Sequence, residues 1–284
     1  MRFHIVDVFA ERKYAGNKLA VVESLGELNG EEMKQIAREM NYSETTFIES
    51  FDEQDGGYAV RIFTPNEEIP FAGHPTLGTA SVIRERIDAG DEITLNLAVG
   101  QIPVEIERDD GETLWMTQQP PEFDETLDHG TLATVLSLGK DALDTTWPVQ
   151  VVSTGLPTIV VPLADRASLE QAEIDRQAYD AVVEEWDTKN VLVFCPEPHD
   201  DANDLAVRVF APFYGVPEDP ATGSSNGCLA GYLAHHGYDG EDIDLRVEQG
   251  YEMGRPSLLH LRADSEGTVE VGGKVVSVAQ GELL

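Results

Sequence analysis

The sequence predicts an α/β (α+β) protein made of two similar halves, and three observations carry that expectation. Short strand patterns alternate with a few helices along all 284 residues, with no low-complexity segment or obvious linker. Hydrophobic residues make up 41% and charged residues 25%, enough to build one large or two medium cores. The halves also match in letters. Arg61-Ile62-Phe63-Thr64-Pro65 answers Arg208-Val209-Phe210-Ala211-Pro212, Ala72-Gly73-His74 answers Thr222-Gly223-Ser224, and the run Gly16 to Val22 answers Gly155 to Val161. Three matches in one order suggest an internal duplication.

Residues 2–9, 18–23, 45–50, 58–64, 92–97, 101–107 and 113–117 read as strands from their Val, Ile, Phe and Thr content and turn punctuation. Residues 30–40 read as a helix, with Met33, Ile36, Ala37 and Met40 on one face and Asn29 as cap. A second helix runs from Pro75, suited to a first turn, to Asp88, with Gly90 as its stop. The stretch 118–122, QQPPE, breaks the pattern, so the first half is expected over 1–118 and the second over 119–277. Residues 278–284 are a candidate return to the first half. In the second half a helix through Tyr179, Val182, Val183 and Trp186 precedes strand 190–195. Strand 205–210 leads through a Pro/Gly loop to a helix over 224–235, and 243–249, 257–263, 268–271 and 274–279 close the chain as strands.

Nineteen basic side chains stand against 53 acidic ones, a formal charge of −34. Phosphate backbones and anionic membrane surfaces would be repelled, so neither nucleic acid nor membrane is expected as a partner. Only six of the basic residues are Lys. A very acidic, Lys-poor chain fits a salt-loaded, halophilic cytoplasm, because at molar salt the Debye length falls to ~3 Å and carboxylates can crowd a surface. Met1 to Ile5 opens directly on a strand pattern, without a basic-then-apolar leader, and no run approaches a membrane span. Cys195 and Cys228 make no disulfide framework, and a reducing cytoplasm is the expected compartment.

The duplication carries a geometric expectation. Each half holds a strand, a Pro-rich loop and a helix that begins at a glycine, Gly73 or Gly223. Helix N-termini offer free N–H groups and partial positive charge, so two facing ones would hold a carboxylate without lysines. Glu44 lies where a helix ends and a strand begins, and its counterpart in the second half falls near Asn190. A carboxylate in one half only suits a single general acid/base. His74 opens the first loop-helix and Asp219 lies in the matching second loop; if the halves face each other, the two side chains can hydrogen-bond. Each of these residues also has a bland reading, as a turn former, a cap or a solvated acid.

Several lookalikes compete. Gly223-Ser224-Ser225-Asn226-Gly227 fits the G-x-S-x-G elbow of serine hydrolases, with Ser225 as nucleophile, but a proline-bracketed loop precedes it where a strand is needed. Gly272-Gly273-Lys274 reads as a hairpin turn. The run 199–204, HDDAND, is calcium-like in composition without EF-hand register. His235-His236 end a helix, where imidazoles suit the dipole. No His/Cys spacing supports zinc, and no G-x-G-x-x-G supports a dinucleotide.

Asp7-Val8-Phe9, Gly16-Asn17-x-Leu19-Ala20-Val21, Ser43-Glu44-Thr45-Thr46-Phe47, the run Arg61 to Thr76, Glu218 to Ser224 and Gln249-Gly250-x-x-Met253-Gly254-Arg255-Pro256-Ser257 together resemble the PhzF (phenazine biosynthesis) isomerase-like family, in order and nearly end to end. The resemblance implies the diaminopimelate-epimerase-like fold: two pseudo-symmetric halves, each a mixed β-barrel-like sheet around a central helix, with the active site between them. It implies that Glu44 shuttles a proton without metal or cofactor, that His74 and Asp219 assist it, and that Asn17, Gly73, Thr222, Gly223 and Ser224 hold substrate. It also implies a homodimer. Lys18 departs from the proline the family commonly carries after Gly16-Asn17. Related epimerases use two cysteines where this chain has His74 and Ser224, which disfavours two-thiol racemisation. The resulting expectation is a cofactor-independent isomerase that migrates a double bond on a small cyclic or amino-bearing carboxylic acid. The alternatives are a catalytically silent carboxylate-binding or interaction protein on the same fold, and the serine hydrolase.

Overall fold

The computed structural model describes residues 1–87, 89–108, 111–186, 188–238, 240 and 242–284, and the chain divides into two compact units. The first comprises Met1–Thr117 and Gly272–Leu284, the second Gln118–Val271.

In the first unit β1 (Arg2–Val8) pairs antiparallel with β2 (Asn17–Glu23) on one side and with the C-terminal strand Val275–Glu282 on the other. Helix α1 (Gly30–Met40) then carries the chain to β3 (Thr45–Ile48), which lies parallel to β2 with Val21 opposite Thr46. Asn29 caps α1 in a full capping box with Glu32, and Asn41 ends it in the left-handed region. Its Met33 and Ala37 pack with Val22, Phe47 and Phe63. β4 (Tyr58–Phe63) pairs antiparallel with β3, takes the short β5 (Glu68–Ile69) on its other side, and runs parallel to β6 (Glu92–Leu97). Between β5 and β6 comes α2 (Gly73–Arg86), with ten of its fourteen residues buried, the signature of a helix enclosed by its sheet. β7 (Gly100–Glu107) and β8 (Thr113–Thr117) complete the unit antiparallel.

The second unit has the same order. β9 (Glu122–Leu127) and β11 (Thr158–Pro162) flank β10 (Val149–Ser153) antiparallel. Helices α3 (His129–Val135), α4 (Arg166–Gln171) and α5 (Arg176–Glu185) each start on an aspartate cap, Asp128, Asp165 and Asp175. β12 (Asn190–Cys195) is parallel to β11, with Val160 opposite Leu192. β13 (Leu205–Ala211) takes β14 (Val216–Asp219) and the parallel β15 (Ile243–Gln249) as β4 takes β5 and β6. α6 (Gly223–His236), again with ten of fourteen residues buried, is the counterpart of α2. β16 (Ser257–Ala263) pairs with β15, β17 (Val269–Gly273) carries the chain across the unit boundary, and β18 is the C-terminal strand already described.

The repeat reaches side chains. Arg61 of β4 makes a bidentate pair with Glu68 of β5, and Arg208 of β13 makes the same pair with Glu218 of β14.

Three expectations need correction. α2 starts two residues before Pro75 and ends at Arg86; Gly90 is no cap, and its carbonyl accepts from Arg84 Nε, while Asp88 lies outside the described residues. Strands β9 and β10 and helices α3 and α4 stand where the strand and helix patterns of the sequence showed no element. Gly272 and Gly273 belong to β17, not to a hairpin turn; a Cβ at Gly272 would come 2.5 Å from the Trp115 ring. The 199–204 loop, calcium-like in composition only, donates to an anion: backbone N–H groups of His199 and Asp200 and the Asn203 amide all donate to the buried Glu248 carboxylate.

Candidate active site

The first unit brings Asn17, Glu44 and His74 together. β2 opens at Asn17, the segment joining α1 to β3 carries Glu44, and His74 sits in the first turn of α2. Parallel pairing of β2 with β3 sets Asn17 and Glu44 at the same end of the sheet. The Asn17 side-chain amide lies 3.4 Å from His74 Nδ1. With that amide donating, a neutral imidazole carries its hydrogen on Nε2. Nε2 in turn lies 3.4 Å from Glu44 Oε2. His74 is 7% exposed, and Glu44 Oε2 is enclosed without a hydrogen-bond partner. Burial raises the Glu44 carboxyl above its ordinary value, against a smaller lowering by the Ser43 hydroxyl. An enclosed carboxyl with a raised pKa, beside an oriented imidazole, is equipped to accept and return a proton.

The N-cap of α2, Ala72, offers no side-chain cap. α6 likewise lacks a side-chain cap at Thr222. In the second unit Thr222 donates its hydroxyl to Asp219 at 2.5 Å, and Gly223 is buried while Ser224 is half-buried. Asp219, Thr222, Gly223 and Ser224 therefore form one loop-to-helix turn. His74 and Asp219 belong to different units, whereas Asn17 and Glu44 share the unit of His74.

Two residues that organise this turn escaped sequence reasoning. Gln249 accepts from Thr222 N and from the Asn226 amide, and donates to the Asp219 carbonyl and the Thr222 hydroxyl. Asn226 also donates to the Thr222 carbonyl. The adjacent Gly250 was the available signal: at φ +77° its Cβ would lie 2.5 Å from both the Pro220 and Arg255 carbonyl oxygens, so only glycine fits.

The Ser225 nucleophile is overturned. Ser225 is fully buried on α6, hydrogen-bonded to Thr158 at 3.0 Å, with no route to an acyl substrate. Both cysteines are buried, and burial pushes Cys195 up to about 11 and raises Cys228, so neither is a ready thiolate. His236 donates from Nε2 to Gln150 Oε1, and burial lowers its pKa, so it does not favour the charged form that a helix-dipole role would use. Among the described residues no three of His, Cys, Asp and Glu converge as metal ligands would. Among them, too, no helix is long and apolar enough to cross a membrane.

Two repeated α/β units, each with a buried helix that starts beside polar side chains, define the fold class. The chain belongs to the phenazine biosynthesis-like (PhzC-PhzF) family, whose model matches residues 6–281. It is 36% identical to trans-2,3-dihydro-3-hydroxyanthranilate isomerase of Pseudomonas aeruginosa over 99% of this chain and 98% of that one. It is 33% identical to the enzyme of the same name from Pseudomonas chlororaphis, over 99% and 98%. Among solved structures it matches a PhzF-family protein of Bacillus anthracis at TM-score 0.92 and 27% identity, covering 100% and 99% of the two chains. A probable proline racemase of Agrobacterium radiobacter, at TM-score 0.61 and 12% identity over 100% and 92%, shares the fold. The relatives make this chain an isomerase of a small molecule.

Proposed function

We propose that the chain is a cofactor-independent isomerase that migrates a double bond on a small cyclic or amino-bearing carboxylic acid, with Glu44 as its acid and base. The observation that carries the reading is the enclosed Glu44 Oε2, 3.4 Å from His74 Nε2, with its carboxyl pKa raised by burial. Ionised Glu44 takes a carbon-bound proton: the C–H bond breaks and the O–H bond forms. The electron pair shifts along the allylic system, and the same O–H delivers its proton one allylic position away. Atoms and charge balance without an added reagent. A raised carboxyl pKa narrows the gap to a weak carbon acid, which favours the first transfer. His74, oriented by Asn17, stabilises the developing charge. Amides around Gly73 hold the substrate carboxylate, as helix N-termini do for anions.

Trans-2,3-dihydro-3-hydroxyanthranilate, named for the relatives, is the first substrate to try. Glu44→Gln, nearly isosteric, should abolish isomerisation and solvent-deuterium incorporation while the protein stays folded by circular dichroism. Turnover retained in that variant removes Glu44 from the chemistry. We propose further that the chain works as a homodimer in a salt-rich cytoplasm. Light scattering in about 2 M KCl should return twice the 31.1 kDa chain mass, and a monomer mass would refute the dimer.

A further inference from the structure

β2 begins with two polar residues that point opposite ways. Successive side chains on a strand alternate between faces. Asn17 is buried and reaches His74, and Leu19, next on the same face, packs on α2, where a Cβ at Gly78 would come 2.6 Å from its Cδ2. Lys18, between them, is exposed on the other face, with its Nζ 4.9 Å from the centre of the Tyr42 ring. Tyr42 stands two residues before Glu44, in the short segment that leaves the left-handed cap of α1 at Asn41 and enters β3 at Thr45. Among the described residues Lys18 has no carboxylate within ion-pair distance, although the chain carries 53 acidic side chains. Its place over an aromatic face, not beside an acid, is the arrangement a cation–π contact selects.

We infer that Lys18 is a positioning residue: Asn17 fixes the imidazole from one face of β2 while Lys18, seated on Tyr42, fixes from the other face the segment that aims Glu44. The inference rests on the acid–base reading of Glu44 and adds a device that maintains its geometry. Small displacements of a reacting group are costly, so a modest tether at this place has a kinetic effect larger than its effect on folding.

The test combines hydrogen exchange with kinetics on the full chain. Lys18→Met should speed amide exchange over residues 42–45 and lower kcat about fivefold with KM within about twofold, and leave the melting temperature unchanged within about one degree. Lys18→Arg and Tyr42→Phe preserve a cation over a ring and should restore both readouts. Tyr42→Leu should match Lys18→Met, and the double variant Lys18→Met/Tyr42→Leu should be no worse than either alone. Unchanged exchange and kcat in Lys18→Met overturn the inference, as does equal loss in Lys18→Arg. Dead Glu44→Gln beside a fully active Lys18→Met refutes the tether alone. A fully active Glu44→Gln refutes the acid–base reading and with it the catalytic part assigned to Lys18.

Discussion

Glu44 stores a cost that the proposed proton chemistry would draw on. Because burial raises its folded-state pKa above the ordinary 4.5, the fold disfavours the ionised form. That penalty is absent below the unfolded pKa, grows as pH rises, and is complete above the folded pKa. Glu44→Gln removes it, so the variant should melt higher than the parent at about pH 7 and converge with it at about pH 4. Differential scanning calorimetry across that range checks the sign; a variant less stable at neutral pH would mean the ionised carboxylate is stabilised by the fold. Glu44 and His74 stood out as candidates because each lies at a junction of predicted elements inside a family-like motif. Gln249 and Asn226 did not, since their partners at Asp219 and Thr222 become neighbours only when β15 returns beside β13.

At the scale of elements, the turn from β15 into β16 holds the 219–222 loop through Gly250. Gly250→Ala combines a left-handed backbone with contacts of 2.5 Å to two carbonyl oxygens, which no rotamer change relieves. We expect a loss of about 2–4 kcal/mol in urea unfolding, and a stability within about 0.5 kcal/mol of the parent would show that the turn rearranges freely. Elements with a long period were readable: α1 announced itself through Met33, Ile36 and Ala37, and its Asn29 cap forms as expected. β9 was hidden because its residues, EFDETL, are mostly exposed and acidic. α3 and α4 span seven and six residues, too short for helical periodicity, and only their aspartate caps betray them.

For the whole molecule the dominant quantity is the charge of −34. With 53 acidic against 19 basic side chains, most of the acids are left to repel one another however the pairs form. Screening should therefore stabilise the fold, with the melting temperature rising steadily between about 0.1 and 2 M KCl. A flat response would mean that local pairs already neutralise the field. The fold class was legible because a duplicated chain states its architecture twice, and the matched strand orders of the two units repeat what the letters repeat.

The strand registers have one more consequence. Val21 stands opposite Thr46 and Val160 opposite Leu192, so the repeat places Asn190 where the other half has Glu44. An amide cannot titrate, so under the proposed mechanism only one half carries the proton chemistry. With Glu44 as the lone shuttle proposed above, the hydrogen that departs and the hydrogen that arrives visit the same side of the substrate's plane. Handedness at the new centre is then inherited from the old one, and isotope from water enters only as fast as the loaded acid exchanges.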